Sequence, residues 1–522
     1  MRISGKGLID RDTQVTFQFN GTSYVGHRGD TLASALLANS VRLVGRSFKY
    51  HRPRGILTAG SEEPNALVEI MEQGQQTPNT RATTQEIYDG LEARSQNHLG
   101  PLAWDLLAVN DLAAPFLSAG FYYKTFMWPR AFWEKLYEPA IRRAAGLGRL
   151  SPNADTAPYE KAWATCDLLV TGSGPAGLMA ALTAARAGAD VILADEDFRM
   201  GGRLLAADET ISGQPALDWV DAVLAELQSL PNVRLMTRTT ITGAYDSGVF
   251  GALERVGLHR APDPHLPREC FWRISTKRAI LATGALERPI AFPLNDRPGI
   301  MMAGAVQTYL NRYGTAPGRC VTLYANNDAA RITARQLMAA GVRVAAILDS
   351  RPDASLIEDC PVYLGAEVLA THGRHALRAI EGRHQGGKFR LDTDCLAMSG
   401  GWNPTLHLTC HMNGRPRWSE DLAAFVPSEG AVPGLTAAGA ANGSFSTHGA
   451  LATGHAAATE TLKHLGLKAP DIVLPKADDA PYRLTALWAV KANTAPGLTS
   501  PMMSPPRTSP NRRRKATVRS SI

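Results

Sequence analysis

The sequence predicts an α/β chain, a Rossmann-like doubly wound domain preceded by a small β-grasp-like unit. Three observations predict it. The stretch Cys166–Arg203 reads strand, glycine turn, helix, strand, acid. Further apolar strands, Arg278–Gly284 and Gly434–Gly439, each run into a glycine turn. Near the start, two short strands meet at Asn20-Gly21 and a helix follows them.

In chain order, Val15–Phe19 and Thr22–Val25 read as the hairpin, and Gly29-Asp30-Thr31 caps a helix at Leu32–Ala38. With the loop Arg46–Ile56 they predict a β-grasp domain over residues 1–70. It resembles a plant-type ferredoxin fold, whose loop normally holds cysteines. None of the six cysteines precedes Cys166, so the loop has no thiolate for an iron–sulfur cluster. His51, Arg52 and Arg54 make a basic loop, expected to be solvated or an interdomain contact, with anion binding as the alternative. Residues 71–163 show no clear period but carry a dense aromatic run, Phe116–Trp133. That much aromatic surface needs burial. It is expected to clamp the small domain onto the nucleotide domain, or else to meet a partner subunit.

Residues 164–470 are expected to form the nucleotide domain. Gly172 permits the turn out of the first strand. Gly174 lets a pyrophosphate approach bare main chain, and Gly177 lets the helix pack on the sheet. The helix start offers free N–H groups to phosphate. Asp195, at the end of the second strand, can accept hydrogen bonds from ribose hydroxyls. Gly201-Gly202 follows the acid as a second permissive backbone site. The whole arrangement resembles two-dinucleotide-binding flavoprotein-type folds. Short strands follow at Val233–Met236 and Thr239–Thr242. A second βαβ unit, within an insert at about 318–395, is expected from Cys320–Tyr324, Ala329–Ala340 and Val342–Leu348. Its turn, Ala325-Asn326-Asn327-Asp328, lacks the glycine spacing, so it is expected to keep the fold without a nucleotide. The first domain resumes at Ser399 and closes over Val432–Gly454. Ala440 stands where flavoproteins of this fold often place an aspartate for the flavin ribityl chain. His448 and His455 flank the closing helix and read as ordinary surface or core residues.

The chain of 522 residues is 44% hydrophobic and 20% charged, which suits a globular protein with more than one core. Of its net charge of +7, six positives lie in Arg507–Arg519, so the body is near neutral and no nucleic-acid role follows. The start has no apolar leader and no apolar run suits a membrane span; a cytoplasmic protein with no membrane contact is expected. The cysteine spacing fits neither disulfides nor a metal site.

The loop Arg46–Ile56, the run Glu62–Leu67, and the runs Tyr88–Asn97 and Val109–Gly148 resemble one family, the alpha subunit of heterotetrameric sarcosine oxidase. The resemblance covers roughly residues 1–495. It implies NAD in the first crevice, held by Ala176, Asp195, Glu196, Arg203, Ile241, Ala440, Phe445 and Thr447. It implies beta, gamma and delta partner subunits, with FMN and FAD on or shared with the beta subunit. It also implies oxidation of sarcosine to glycine, formaldehyde and hydrogen peroxide. The substrate-oxidising site then belongs to the partner, and no catalytic residue is named in this chain. The family's aminomethyltransferase-like half, with its tetrahydrofolate site, has no counterpart here. Residues 471–522 read as linker and disordered basic tail, and the abrupt break near residue 495 suggests a shifted reading frame. Two other readings stand beside this one: a stand-alone FAD-dependent amine or opine dehydrogenase component, and a non-catalytic scaffold for a flavoprotein partner.

Overall fold

The computed structural model describes residues 1–490 apart from 73, 114–127, 145, 147 and 357. The aromatic run falls largely on 114–127, and the basic tail on 491–522, so both lie outside the described residues.

The chain opens with β1 (Asp10–Phe19) and β2 (Thr22–Arg28). Asn20 and Gly21 both have positive φ, +50° and +76°, as the tightest hairpin turn requires. Thr31 and Ser34 then close a reciprocal capping box on α1 (Leu32–Ala38), whose residues up to Leu37 are buried. Three more strands follow, β3 (Leu67–Glu72), β4 (Gln75–Arg81) and β5 (Glu92–Ser95). The sheet order is β2-β1-β5-β3-β4. The N-terminal unit therefore runs on to Ser95, not to residue 70 as the sequence suggested. The cause is visible in β4: it is the edge strand, reads QQTPNTR, and has no face that must be apolar.

The nucleotide domain is built on β6 (Tyr159–Thr171), α2 (Pro175–Arg186), β7 (Val191–Ala194), α3 (Ala216–Ser229) and β8 (Val233–Met236). β9 (Thr239–Tyr245), β10 (Val249–Arg255) and β11 (Glu269–Leu281) form an antiparallel layer that returns to β6. β12 (Ala285–Glu287) then leaves the sheet.

A second α/β unit follows, with β13 (Ile300–Met302), α4 (Ala303–Asn311), β14 (Cys320–Ala325), α5 (Ala329–Ala339), β15 (Arg343–Asp349), β16 (Val362–Leu364) and β17 (Cys395–Ser399). Its strands are all parallel, in the order β13-β17-β14-β15-β16. Because β13 and α4 belong to it, this unit starts well before the expected 318. β18 (Trp402–Pro404) pairs with β12 as the return ribbon, and β19 (Leu435–Ala437) and α6 (Thr447–Leu465) complete the nucleotide domain. Its sheet reads β8-β7-β6-β11-β10-β9, with β19 added to β11. β7, β6, β11 and β19 are mutually parallel, so their carboxyl ends line one edge.

One apolar cluster joins Phe17, Leu36 and Ile70 of the N-terminal unit to Phe292, Tyr309, Leu323 and Ile347. The small unit thus shares its core with the second α/β unit, while the nucleotide domain keeps two clusters of its own. The buried ion pair Arg54–Asp296 crosses that shared boundary, which makes the basic loop an interdomain contact. Of the described aromatic side chains around the aromatic run, Trp104 is 64% exposed and Trp128 83% exposed. Among the described residues, no helix is long and apolar enough to cross a membrane.

Candidate functional site

The turn Gly172–Gly177 joins β6 to α2. Gly172 has φ +95°, and a Cβ there would lie 2.4 Å from the Ala282 carbonyl oxygen at the end of β11. A Cβ on Gly177 would lie 1.8 Å from the Gly172 oxygen. Both positions exclude a side chain, and both bring main chain close to main chain. Gly174 differs, because a Cβ built there meets nothing within 4 Å. Gly174 is also the N-cap of α2, no side chain caps it, and Pro175 follows at the first helical position. The result is an open helix start of bare main chain, which suits an anionic diphosphate.

Small residues build the walls. A Cβ on Gly202 would lie 2.7 Å from the Gly174 Cα, so the second glycine pair lies directly against the turn. Gly439 and Gly454 press on Ala176 from the other side, with built Cβ distances of 2.7 Å to its Cβ and 2.2 Å to its oxygen. Gly284, past the end of β11, has φ +70° and open space where a Cβ would stand.

Asp195 follows β7 as expected, but it is not a free carboxylate. The Ser173 N–H and hydroxyl both donate to its Oδ2 at 2.6 Å, and the Asp197 N–H donates to Oδ1 at 2.8 Å. Burial, then the Asp197 charge, push its carboxyl up to about 6 against those hydrogen bonds. It therefore fixes the glycine turn as well as ending the strand. Asp197 makes a bidentate pair with Arg312, which holds it below the usual carboxylate range although burial opposes that.

Glu196 is exposed, and its Oε1 accepts from the Ser61 hydroxyl at 2.6 Å. Ile241 lies on β9 two residues past Thr239, whose N–H donates to the Asp195 oxygen at 2.7 Å. Arg203, Glu209 and Thr447 form one cluster: Arg203 pairs with Glu209 at 3.0 Å, and both bond the Thr447 hydroxyl. Ala440 lies in the turn after β19, half-buried, with no carboxylate to offer. The Phe445 ring lies 4.9 Å from the Tyr482 ring. His455 touches the Thr183 hydroxyl at 3.1 Å between α6 and α2, a packing contact.

The fold adds residues that sequence reasoning missed. Glu63 accepts the N–H groups of Leu57, Thr58, Asn65 and Ala66 at 2.7–3.0 Å, which folds the loop Leu57–Ala66 around one buried carboxylate. That loop carries Ser61 from the N-terminal unit to Glu196. Glu287, on β12, accepts the Gly304 N–H at 2.7 Å at the start of α4. Burial raises its carboxyl to about 7, and Glu62 adds to the rise. At the second sheet, the segment 482–490 crosses the strand ends. Leu484 bridges Asn327, and the Thr485 N–H donates to the Asn326 oxygen at 3.1 Å. Nothing local in the sequence signals these meetings. Among the described residues, no group of three or more metal-ligating side chains occurs.

Comparison with known proteins gives two family matches. Residues 12–98 match a 2Fe-2S iron-sulfur cluster binding domain, and residues 167–229 match an FAD dependent oxidoreductase family. The first match contains no cysteine, and even a mixed histidine–cysteine cluster needs two thiolates. The residues present do not fit a cluster, so the match describes the scaffold. The chain is 54% identical over 480 residues to the sarcosine oxidase subunit alpha of Rhizobium meliloti (strain 1021), covering 91% of this chain and 48% of that one. It is 37% identical over 468 residues to the same subunit of Corynebacterium sp. (strain U-96), covering 86% and 43%. It spans about half the length of these relatives. Among solved structures, L-proline dehydrogenase from P. horikoshii superposes with a TM-score of 0.63 at 18% identity, over 90% of this chain and 77% of that one, a likeness of fold.

Proposed function

The chain belongs to the sarcosine oxidase alpha subunit family, and from that premise we propose that it is the dinucleotide-holding subunit of a multi-subunit sarcosine oxidase. The complex would convert sarcosine to glycine, formaldehyde and hydrogen peroxide, with the flavin that accepts the hydride held by a partner beta subunit. The gamma and delta subunits would complete the assembly. One observation supports the role of this chain above others: Gly174 presents open main chain at a helix start inside a chain this similar to the family.

NAD is the dinucleotide the residues suit best. The main chain at Gly174 would hold the diphosphate, backed by Gly202. Asp195 and Glu196 would take the adenosine ribose beside Ile241, and their charge would reject a 2′-phosphate. The walls at Ala176, Gly177 and Ala440 would follow the second half of the ligand, with Arg203 held ready by Thr447 and Phe445 by Tyr482. The chain itself would bind, orient and shield; the oxidation would occur on the partner.

The match of residues 167–229 to an FAD dependent oxidoreductase family favours a second reading, FAD in the same crevice. Co-expression with its partner subunits separates the two. We expect a complex that releases hydrogen peroxide only with sarcosine, in which this chain, once separated, is colourless. A yellow chain oxidising an amine by itself would support FAD, and a chain that associates with no flavoprotein partner would overturn the proposal.

A further inference from the structure

Ligands of open parallel sheets bind outside the carboxyl ends of the strands. The second α/β unit has such a place at the ends of β14 and β17, which are adjacent and parallel. The turn after β14 is unlike the open one at Gly174. It carries Asn326 and Asn327, both fully buried. The Asn326 side-chain amide donates to the Gly400 oxygen at 3.3 Å, and that of Asn327 to the Ser399 oxygen at 3.3 Å and hydroxyl at 3.1 Å. The two strand ends are thus sewn together. Asp349 ends β15 much as Asp195 follows β7, but Arg331 and Arg351 each donate to it at 2.8 Å, so its charge is matched within the protein.

The chain itself lies across these ends. Residues 467–490 form no helix or strand of their own. Yet Leu484 pairs with Asn327 as an antiparallel bridge, and the Thr485 N–H donates to the Asn326 oxygen at 3.1 Å. Farther on, Ala489 pairs with Ala291 in the parallel sense. The Ala291 N–H donates to the Trp488 oxygen at 3.0 Å, and the Val490 N–H to the Ala291 oxygen at 2.8 Å. Selected side chains point inward. Tyr482 Oη and Leu484 Cδ1 lie 3.0 and 3.2 Å from a Cβ built on Gly401, so that glycine leaves them their room. The Arg288 guanidinium, 2% exposed, lies 4.1 Å from the centre of the Trp488 ring, and Val490 joins the core shared with the N-terminal unit. Arg483, Thr485, Ala486 and Ala489 between them are exposed. Main-chain pairing combined with places for alternate side chains is how extended peptides are recognised.

We propose that the strand-end crevice of the second α/β unit is a peptide-binding groove, and that its ligand is the chain's own segment 482–490, seated where a nucleotide would otherwise lie. The inference goes beyond the dinucleotide reading and is independent of what fills the first crevice. The groove reads two main-chain pairings and the side chains of Tyr482, Leu484, Trp488 and Val490. Because residues 467–481 tether this ligand, its effective concentration is high, and the groove stays filled although each contact is weak. An extended chain with the same spacing of anchors could take its place.

Cutting the full chain at a protease site engineered at Val473, which is 91% exposed, tests this. The C-terminal fragment should stay with the body through gel filtration, and should exchange for an excess of a labelled peptide of residues 480–490. The same peptide with Thr485→Pro lacks the N–H that Asn326 accepts, and should bind about 10-fold more weakly. A fragment that leaves on cutting, one that stays but never exchanges, or a Thr485→Pro peptide as good as the native one would overturn the inference. So would NADPH displacing the fragment in the Gly174→Val variant, whose first crevice is blocked, because the second crevice would then be a nucleotide site. The uncut chain gives a second measurement should cutting unfold the body. There Thr485→Pro should raise hydrogen exchange at Asn326 and Ala329 about 10-fold. Unchanged exchange at both would count against the groove.

Discussion

Two glycines three residues apart make opposite demands. Gly177 has main chain 1.8 Å from its missing Cβ, while Gly174 has nothing within 4 Å and an ordinary φ of −68°. Gly177→Ala should therefore destabilise the fold by about 2–4 kcal/mol, through overpacking that main chain cannot relieve. Gly174→Val should melt close to the wild type and yet lose the dinucleotide, because its side chain fills the open face. Thermal melting together with ligand titration checks both. Asp195 makes a pH prediction. Its carboxyl is raised from 3.8 to about 6, so the folded state holds a proton that the unfolded chain has released between those values. Its contribution to stability thus falls as pH rises from about 4 to 6. Ribose binding needs the charged acceptor, so dinucleotide affinity should be full above pH 7 and fall as pH drops through about 6. Titrations at pH 5 and pH 8 would show it, and Asp195→Asn should flatten the dependence.

At the scale of elements, the parts of the site that were legible in the sequence are those written in one continuous stretch. The strand, the turn, α2 and the acid at Asp195 follow from spacing alone, because each glycine answers a local backbone demand. Asn20-Gly21 and Thr31 were legible for the same reason. What distant segments contribute was not legible. Ser61 reaches Glu196 only because Glu63 gathers four N–H groups of its own loop, and Tyr482 reaches Phe445 from the far end of the described chain. The hydrophobic period also failed at β4 and β5, where one is a polar edge strand and the other has four residues. The segment 476–490 acts as a strap. It meets Ser212 at Lys476, His448 at Asp478, Asn326 at Thr485 and Ala291 at Val490, so it ties the closing turn of the nucleotide domain to the second sheet. Tyr482→Ala should cost about 1–2 kcal/mol of stability through the lost ring contact. It should also weaken dinucleotide binding several-fold by freeing Phe445. Hydrogen exchange at Thr485 and Val490 should rise with it, and unchanged exchange would show that the strap is held elsewhere.

For the whole molecule, the shared core is the feature with most consequence. The N-terminal unit keeps the scaffold of an iron–sulfur domain, has no cysteine to hold a cluster, and buries Phe17, Leu36 and Ile70 against the second α/β unit. It supports the loop that brings Ser61 to Glu196. Removing residues 1–95 should therefore unfold the second unit rather than leave it intact, and calorimetry should show these two parts melting together. Dinucleotide binding depends on one open stretch of main chain at Gly174. The most direct test is mass spectrometry of whatever small molecule the purified chain releases on denaturation. The expected result is NAD+, close to one per chain, absent from the Gly174→Val variant. Release of FAD from the wild-type chain, or retention of NAD+ by the variant, would contradict it.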